Sequence, residues 1–91
     1  MEGLINMELK PIYESVKSFY GKATIVEDED GATLFSYHTP VANIKDGVPQ
    51  IYKLESWQFS MTTQRHIREF FAQKGLGYYN KKKMCVLMDN D

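Results

Sequence analysis

The segment WQFSMTTQRHIREFFAQKGL, which runs from Trp57 to Leu76, carries the start, the periodicity and the end of an amphipathic helix. Thr62 and Thr63 are N-cap candidates, because a side-chain hydroxyl accepts a hydrogen bond from a free N–H of the first turn. Apolar side chains then recur at helical spacing and end in a lysine whose stem covers apolar surface: Ile67, Phe70, Phe71 and Lys74. Gly75 suits the left-handed residue just past a helix end, so we predict a helix over about residues 62–74.

An earlier helix is predicted near the N-terminus. Pro11 suits the first helical position, because its missing N–H is not needed there. The apolar face that follows consists of Ile12, Val16, Phe19 and Tyr20. Gly21 ends this pattern, so we predict a helix from about Pro11 to Tyr20, to which residues 7–10 can add one turn.

The middle third of the chain predicts an antiparallel sheet, because it alternates branched residues with turn signals. The predicted strands cover residues 24–26, 32–37, 41–45 and 48–54. The pairs Asp30-Gly31 and Asp46-Gly47 are hairpin signals. Pro40 interrupts one strand, since proline cannot donate to a ladder. We therefore predict a meander of three or four strands.

Residues 80–88 allow two interpretations. Asn80 can cap a short helix over residues 81–88, or residues 84–88 can form a final strand, and the lysines slightly favour the helix. The whole chain, residues 1–91, is predicted to be a single α+β domain. In this domain an antiparallel three- to four-stranded meander is packed by an N-terminal helix and by the helix at about 62–74, with a short C-terminal element.

Composition restricts the class of protein. The 91 residues include 43% apolar and 25% charged residues, as expected for one small globular domain. The net charge of -1 provides no overall attraction to nucleic acid or anionic lipid. A single cysteine, Cys85, excludes an intramolecular disulfide and favours a reducing cytoplasm. We expect no membrane partner, because no apolar run approaches the roughly 20 residues that span a bilayer, and the N-terminus lacks the features of a signal peptide.

The residues that carry chemistry are few and scattered. His38, His66 and Cys85 do not form a CxxC or HxxxH pattern, and the acidic run at 27–30 lacks the ligand pattern of a calcium loop. A lone cysteine in an apolar run is typical of buried packing. The sequence contains neither a glycine-rich phosphate loop nor a GxSxG motif. We therefore predict a protein that is not an enzyme, with no catalytic residue, cofactor or metal.

The aromatic residues indicate a protein interface. The residues that we predict in the core are Phe19, Phe35, Trp57, Phe70 and Phe71. The tyrosines that cannot all be buried in so small a domain are Tyr13, Tyr37, Tyr52, Tyr78 and Tyr79. Exposed tyrosine together with methionine and arginine is typical of protein interfaces. This composition predicts protein–protein interaction, either as a homodimer through a sheet edge or an aromatic patch, or by capture of a foreign protein.

The helix at 62–74 also carries a basic face, which predicts nucleic-acid binding as the alternative function. Arg65 and Arg68 lie three residues apart on one face, and a helix N-terminus can bind a phosphate. The opposing interpretation is ordinary surface pairing of Arg65 with Glu69, and a hydrogen-bonded boundary position for His66. The candidate interaction surface comprises Thr62, Arg65, His66, Arg68, Lys74, Tyr78, Tyr79, Lys81, Lys82 and Lys83.

Two segments, Tyr37–Gly47 and Trp57–Phe70, resemble a group of small uncharacterised proteins of bacteria and their phages. That group pairs a Y-x-T-x-V-A strand with an S-x-T-T-x-R-H-I-x-E-F helix. The resemblance covers the middle and third quarter of the chain and brings no activity with it. It implies a phage or mobile-element origin and a bacterial cytoplasm, where small chains often bind host proteins or nucleic acid. A protein of this origin can act by self-association or as an inhibitor of a host factor, for example one used in host defence.

Overall fold

The computed structural model describes residues 5–13 and 22–89, which form an antiparallel sheet of five strands and two helices. The strands are β1 (Ile5–Glu8), β2 (Ala23–Glu27), β3 (Gly31–Ser36), β4 (Thr39–Lys45) and β5 (Val48–Ile51). The helices are α1 (Met61–Gln73) and α2 (Lys81–Asp89). Strands that follow one another in the chain are neighbours in the sheet, so the sheet is a meander. The predicted α+β class and meander are confirmed.

The strand count was predicted too low, because β1 was not recognised. Ile5 lies opposite Glu27 and Glu8 lies opposite Thr24, whereas the sequence allowed residues 7–10 as an added turn of the predicted N-terminal helix. The strand signal was present in the sequence, because the apolar Ile5, Met7 and Leu9 alternate with the polar Asn6, Glu8 and Lys10, although all four residues of β1 are exposed. The helix that we predicted from Pro11 to Tyr20 falls largely outside the described residues.

The sheet has an inner face, on which α1 packs against β3 and β4 and α2 packs against β5. In β3 the inner side chains are Ala32, Leu34 and Ser36, which are buried. The register of β4 shifts so that Leu34 lies opposite Ala42 while Phe35 lies opposite Pro40. Val41 is therefore the extra residue of a β-bulge. Because of this bulge, the neighbours Val41 and Ala42 are both buried.

The core confirms part of the predicted set. Phe70 and Phe71 are fully buried, and their ring centroids lie 5.7 Å apart. Trp57 was wrongly placed in the core, because its side chain is 76% exposed. It precedes α1 and lies outside the apolar stripe of the helix. Phe35 is only half-buried, since it alternates with the inner residues of β3, and Phe19 lies outside the described residues.

Helix α1 begins at a different cap from the one predicted. The N-cap is Ser60, whose side-chain oxygen accepts a hydrogen bond from the Thr63 N–H at 3.2 Å, so Thr62 and Thr63 were wrong. The predicted end is confirmed. Gly75 has a φ of +81°, and the Leu76 N–H donates to the Phe71 carbonyl at 3.0 Å.

Residues 81–89 form helix α2, which is the alternative that the lysines favoured. The Asn80 side chain caps it, because its oxygen accepts a hydrogen bond from the Lys83 N–H at 2.9 Å. Met84 and Met88 are the buried residues of this helix. Within residues 5–13 and 22–89, neither helix has the length and apolarity needed to cross a membrane.

The two predicted Asp-Gly turns differ in structure. Asp46 and Gly47 have φ values of +53° and +78°, as a two-residue hairpin turn requires. Gly31 instead begins β3, after a loop in which the Asp28 carboxylate accepts hydrogen bonds from the N–H groups of Asp30 and Gly31. The acidic run therefore has a structural role in this turn.

Glycine at position 31 should be required for the full stability of the fold. A Cβ at this position would lie 1.9 Å from the carbonyl oxygen of Ile44, which belongs to the backbone of β4. We expect Gly31→Ala to lower the free energy of unfolding by roughly 2 kcal/mol or more, because the strands must separate locally. Urea denaturation followed by circular dichroism measures this change.

The matched control is Gly47→Ala. Gly47 also has a positive φ, but a Cβ there meets nothing within 4 Å. We expect the free energy of unfolding of this variant to fall by only about 1 kcal/mol, the cost of placing alanine in the left-handed conformation. If Gly31→Ala and the wild type unfold at the same urea concentration, the predicted clash with the Ile44 carbonyl is contradicted.

Candidate functional site

The residues of the candidate interaction surface predicted from the sequence differ in how far they are buried. His66 is fully buried, so its place on an exposed surface was wrong. The half-buried members are Thr62, Arg65, Arg68 and Tyr79. The exposed members are Lys74, Tyr78, Lys81, Lys82 and Lys83. The surface is therefore not one continuous basic face of a single helix.

Four of its residues form a compact group, which we call the arginine–tyrosine cluster: Arg68, Tyr78, Tyr79 and Lys83. Arg68 Nε donates to the Tyr79 carbonyl at 3.1 Å, and its guanidinium carbon lies 5.4 Å from the Tyr78 ring centroid. Lys83 Nζ lies 5.6 Å from the Tyr79 ring centroid. The Tyr79 ring packs edge-on against Phe71 at a centroid distance of 4.9 Å, which attaches the cluster to the core.

A cavity of about 340 Å³ adjoins this cluster, and we call it the arginine–tyrosine cavity. It is lined by Tyr13, Arg68, Glu69, Ala72, Gly77 and Tyr78. Tyr13 and Tyr78 are 68% and 65% exposed. The cavity thus brings a residue of the N-terminal segment, which the sequence did not connect with this surface, next to α1 and the segment that follows it.

Glu69 joins the N-terminal segment to α1. Its side chain is fully buried, and its carboxylate accepts hydrogen bonds from the N–H groups of Ile12 at 2.8 Å and Tyr13 at 3.1 Å. Gln73 Nε2 donates to the same carboxylate and, at 2.7 Å, to the Lys10 carbonyl. Glu69 is therefore a structural anchor and not the surface partner of Arg65 that the helical spacing allowed.

A second group of polar residues connects His66, near the middle of α1, with the N-terminal end of the helix. Ser36 Oγ lies 2.8 Å from His66 Nδ1 and 3.2 Å from Thr63 Oγ1. Ser60 Oγ donates to Thr63 Oγ1 at 3.3 Å, so hydroxyl groups connect the helix cap to the buried histidine. We missed Ser36 and Ser60 in the sequence. The available signal was Ser36 itself, a polar residue on the inner face of a strand.

These hydroxyl groups border a cavity of about 300 Å³, which we call the hydroxyl pocket. It is lined by Ser36, Tyr37, Thr39, Val41, Trp57, Gln58, Ser60 and Thr63. Tyr37 lies at the turn between β3 and β4 with a φ of +62°, and its ring centroid lies 6.2 Å from that of His66. The pocket unites the two segments on which the resemblance to bacterial and phage proteins rests.

The remaining charged residues of the predicted surface form separate contacts. Lys74 Nζ forms an ion pair with the Glu27 carboxylate of β2. Lys81 and Lys82 are exposed at the start of α2. Within the part of the chain that the structure describes, no group of three or more His, Cys, Asp or Glu side chains is placed to hold a metal ion.

Together these features define a small α+β protein in which a helix-covered meander carries surface cavities at both ends of α1. The chain belongs to the family of unknown function DUF8033, whose model matches residues 7–86. No curated protein and no solved structure matches the chain. The family membership agrees with the resemblance to uncharacterised proteins and assigns no activity.

The anchoring role of Glu69 can be measured by removing its carboxylate. We expect Glu69→Ala to lower the free energy of unfolding by about 3 kcal/mol, because the N–H groups of Ile12 and Tyr13 lose their acceptor. Chemical denaturation gives the stability, and amide hydrogen exchange at residues 12 and 13 shows whether the segment is released.

The control is Glu55→Ala, which removes an exposed carboxylate outside the cavity and should change stability by less than about 0.5 kcal/mol. The anchor would be disproved by equal stabilities of the two variants together with unchanged exchange at residues 12 and 13.

Proposed function

We propose that this protein is a small non-catalytic binding module that acts by protein–protein interaction through the arginine–tyrosine cavity. The observation that supports this proposal is the pair of exposed rings, Tyr13 and Tyr78, that line the cavity together with Arg68. Tyrosine and arginine dominate the binding energy of many protein interfaces. The cavity accepts a side chain of the partner, and the rings supply apolar contact area around it.

The cluster is held in position before any partner binds. Arg68 is oriented by the Tyr79 carbonyl and by the Tyr78 ring, while Tyr79 is fixed by the Phe71 ring. The hydrogen bond from the Tyr13 N–H to the buried Glu69 carboxylate fixes the backbone from which the Tyr13 ring projects. Side chains that are already ordered lose less conformational entropy on binding, so more of the contact energy is available as affinity.

Nucleic-acid binding through Arg65, Arg68 and Lys81–Lys83 is the alternative predicted from the sequence. The contacts support the protein partner better, because Lys74 is paired with Glu27 and Arg68 is directed toward the Tyr79 carbonyl. The net charge of -1 also provides no overall attraction to a polyanion.

The partner in this proposal is a second copy of the chain or a protein of the bacterial host. The resemblance to proteins of bacteria and their phages supports a phage or mobile-element origin and action in the host cytoplasm, where binding inhibits a host factor. Self-association and host binding use the same exposed rings, and the oligomeric state of the purified protein separates them.

The experiment compares two tyrosine variants in one affinity capture from the native host lysate, with light scattering of the purified proteins. Tyr78→Ala removes a ring of the cavity, whereas Tyr37→Ala removes an exposed ring at the other end of α1. We expect Tyr78→Ala to reduce the captured partner, or the dimer fraction, by at least about tenfold, which corresponds to roughly 1.4 kcal/mol.

Tyr37→Ala should retain the wild-type level, and circular dichroism checks that both variants are folded. A strictly monomeric wild type that captures no protein would reject the proposal, as would equal losses in the two variants.

Gel-shift titrations at several salt concentrations test the alternative. Binding that falls steeply with salt, and that disappears in the double variant Arg65→Ala with Arg68→Ala, would assign the surface to nucleic acid. We expect no shift at physiological salt for the wild type or for the double variant.

A further inference from the structure

We propose that the hydroxyl pocket is a binding site for a neutral sugar ring. This site is separate from the arginine–tyrosine cavity, since no described residue lines both cavities. The proposal rests on the uncharged lining of the pocket, on its two exposed aromatic rings and on polar groups that have no partner among the described residues.

The lining disfavours a charged ligand. Among the described residues, none that lines the hydroxyl pocket has a charged side chain, and the lining residues Ser36, Val41 and Thr63 are buried. An ionised ligand group in this pocket would lose water without gaining an opposite charge, which is unfavourable. A neutral ligand avoids this cost.

The aromatic residues supply a surface for the face of a ring. Trp57 is 76% exposed and Tyr37 is 49% exposed, so large apolar areas remain in contact with water. The Tyr37 backbone is fixed by its N–H, which donates to the Lys22 carbonyl at 2.6 Å. The C–H face of a sugar ring packs against such rings and removes their apolar area from water.

The polar groups of the pocket match hydroxyl groups of a ligand. Gln58 Oε1 accepts a hydrogen bond from the Glu55 N–H at 2.9 Å, which orients the amide, and among the described residues its NH₂ group has no hydrogen-bond partner. The Thr39 hydroxyl likewise forms no hydrogen bond within the described chain. A hydroxyl both donates and accepts, and an amide NH₂ donates, so a ligand that carries several hydroxyl groups satisfies them.

The size of the pocket restricts the ligand further. A volume of about 300 Å³ lies at the lower end of the range for ligand pockets, which suits one small ring. A nucleotide fits the lining less well, because no lining residue in the described part of the chain supplies a positive charge for its phosphate. A free nucleoside is the competing neutral ring, and the experiment therefore includes it.

The single tryptophan makes the site directly observable, because Trp57 lines this pocket and its emission changes when a ligand packs against its ring. The wild-type chain is titrated with methyl glycosides of glucose, galactose and N-acetylglucosamine, with methyl glucuronide as the charged counterpart, and with uridine. We expect a saturable change in emission with at least one neutral glycoside and none with the glucuronide.

Matched variants assign the binding to the pocket. Thr39→Val and Gln58→Met each remove one hydrogen-bonding group of the pocket and keep a side chain of similar size. We expect each to weaken the binding about 3- to 10-fold, as for the loss of one hydrogen bond. Thr33→Val, on the outer face of β3, is the control and should bind as the wild type does.

The proposal is overturned if no neutral glycoside changes the emission at concentrations that saturate a millimolar site, or if the glucuronide binds as tightly as the neutral glycosides. It is also overturned if uridine binds more tightly than every glycoside, or if folded Thr39→Val and Gln58→Met bind as tightly as Thr33→Val.

Discussion

The burial of Ile67, Phe70 and Phe71 between α1 and the sheet is the interaction on which the rest of the structure depends. All three side chains are fully buried. Truncating a buried phenylalanine costs about 3–5 kcal/mol, a large part of the stability of a small domain. Because this stripe sets the rotation of α1 about its axis, it also determines which polar residues of the helix face the N-terminal segment and which face the turn between β3 and β4.

The polar residues beside the stripe attach α1 to distant parts of the chain. Glu69 holds the backbone of Ile12 and Tyr13, and His66 contacts Ser36 at the end of β3. A buried polar group is costly unless it is hydrogen-bonded, so these contacts favour one arrangement of helix and strands over others with the same apolar packing. The surface cavities at both ends of α1 follow from this arrangement, since their walls come from segments that the buried contacts bring together.

The two cavities suit different ligands because their linings differ. The arginine–tyrosine cavity combines Arg68 with the rings of Tyr13 and Tyr78, a composition that favours a protein partner. The sequence placed Arg68 and Tyr78 on one candidate surface, whereas Tyr13 joins them only because the N-terminal segment is bound by α1. The hydroxyl pocket has Trp57 and uncharged polar groups, which favour a small neutral ligand. The two sites can therefore be altered independently by substitution.

The sequence by itself determined the elements that have local signals: most of α1 and its end at Gly75, the turn at Asp46-Gly47, and the α+β class. Periodicity, caps and turn residues act over a few neighbouring positions, so they can be read directly from the chain. Only the tertiary structure decided that Trp57 is exposed and that Glu69 and His66 are buried. These outcomes depend on contacts between residues that are far apart in the chain. Glu69 and Ile12 are separated by 57 positions, and His66 and Ser36 are separated by 30. No local pattern encodes such contacts, because they exist only after the helix has packed on the sheet.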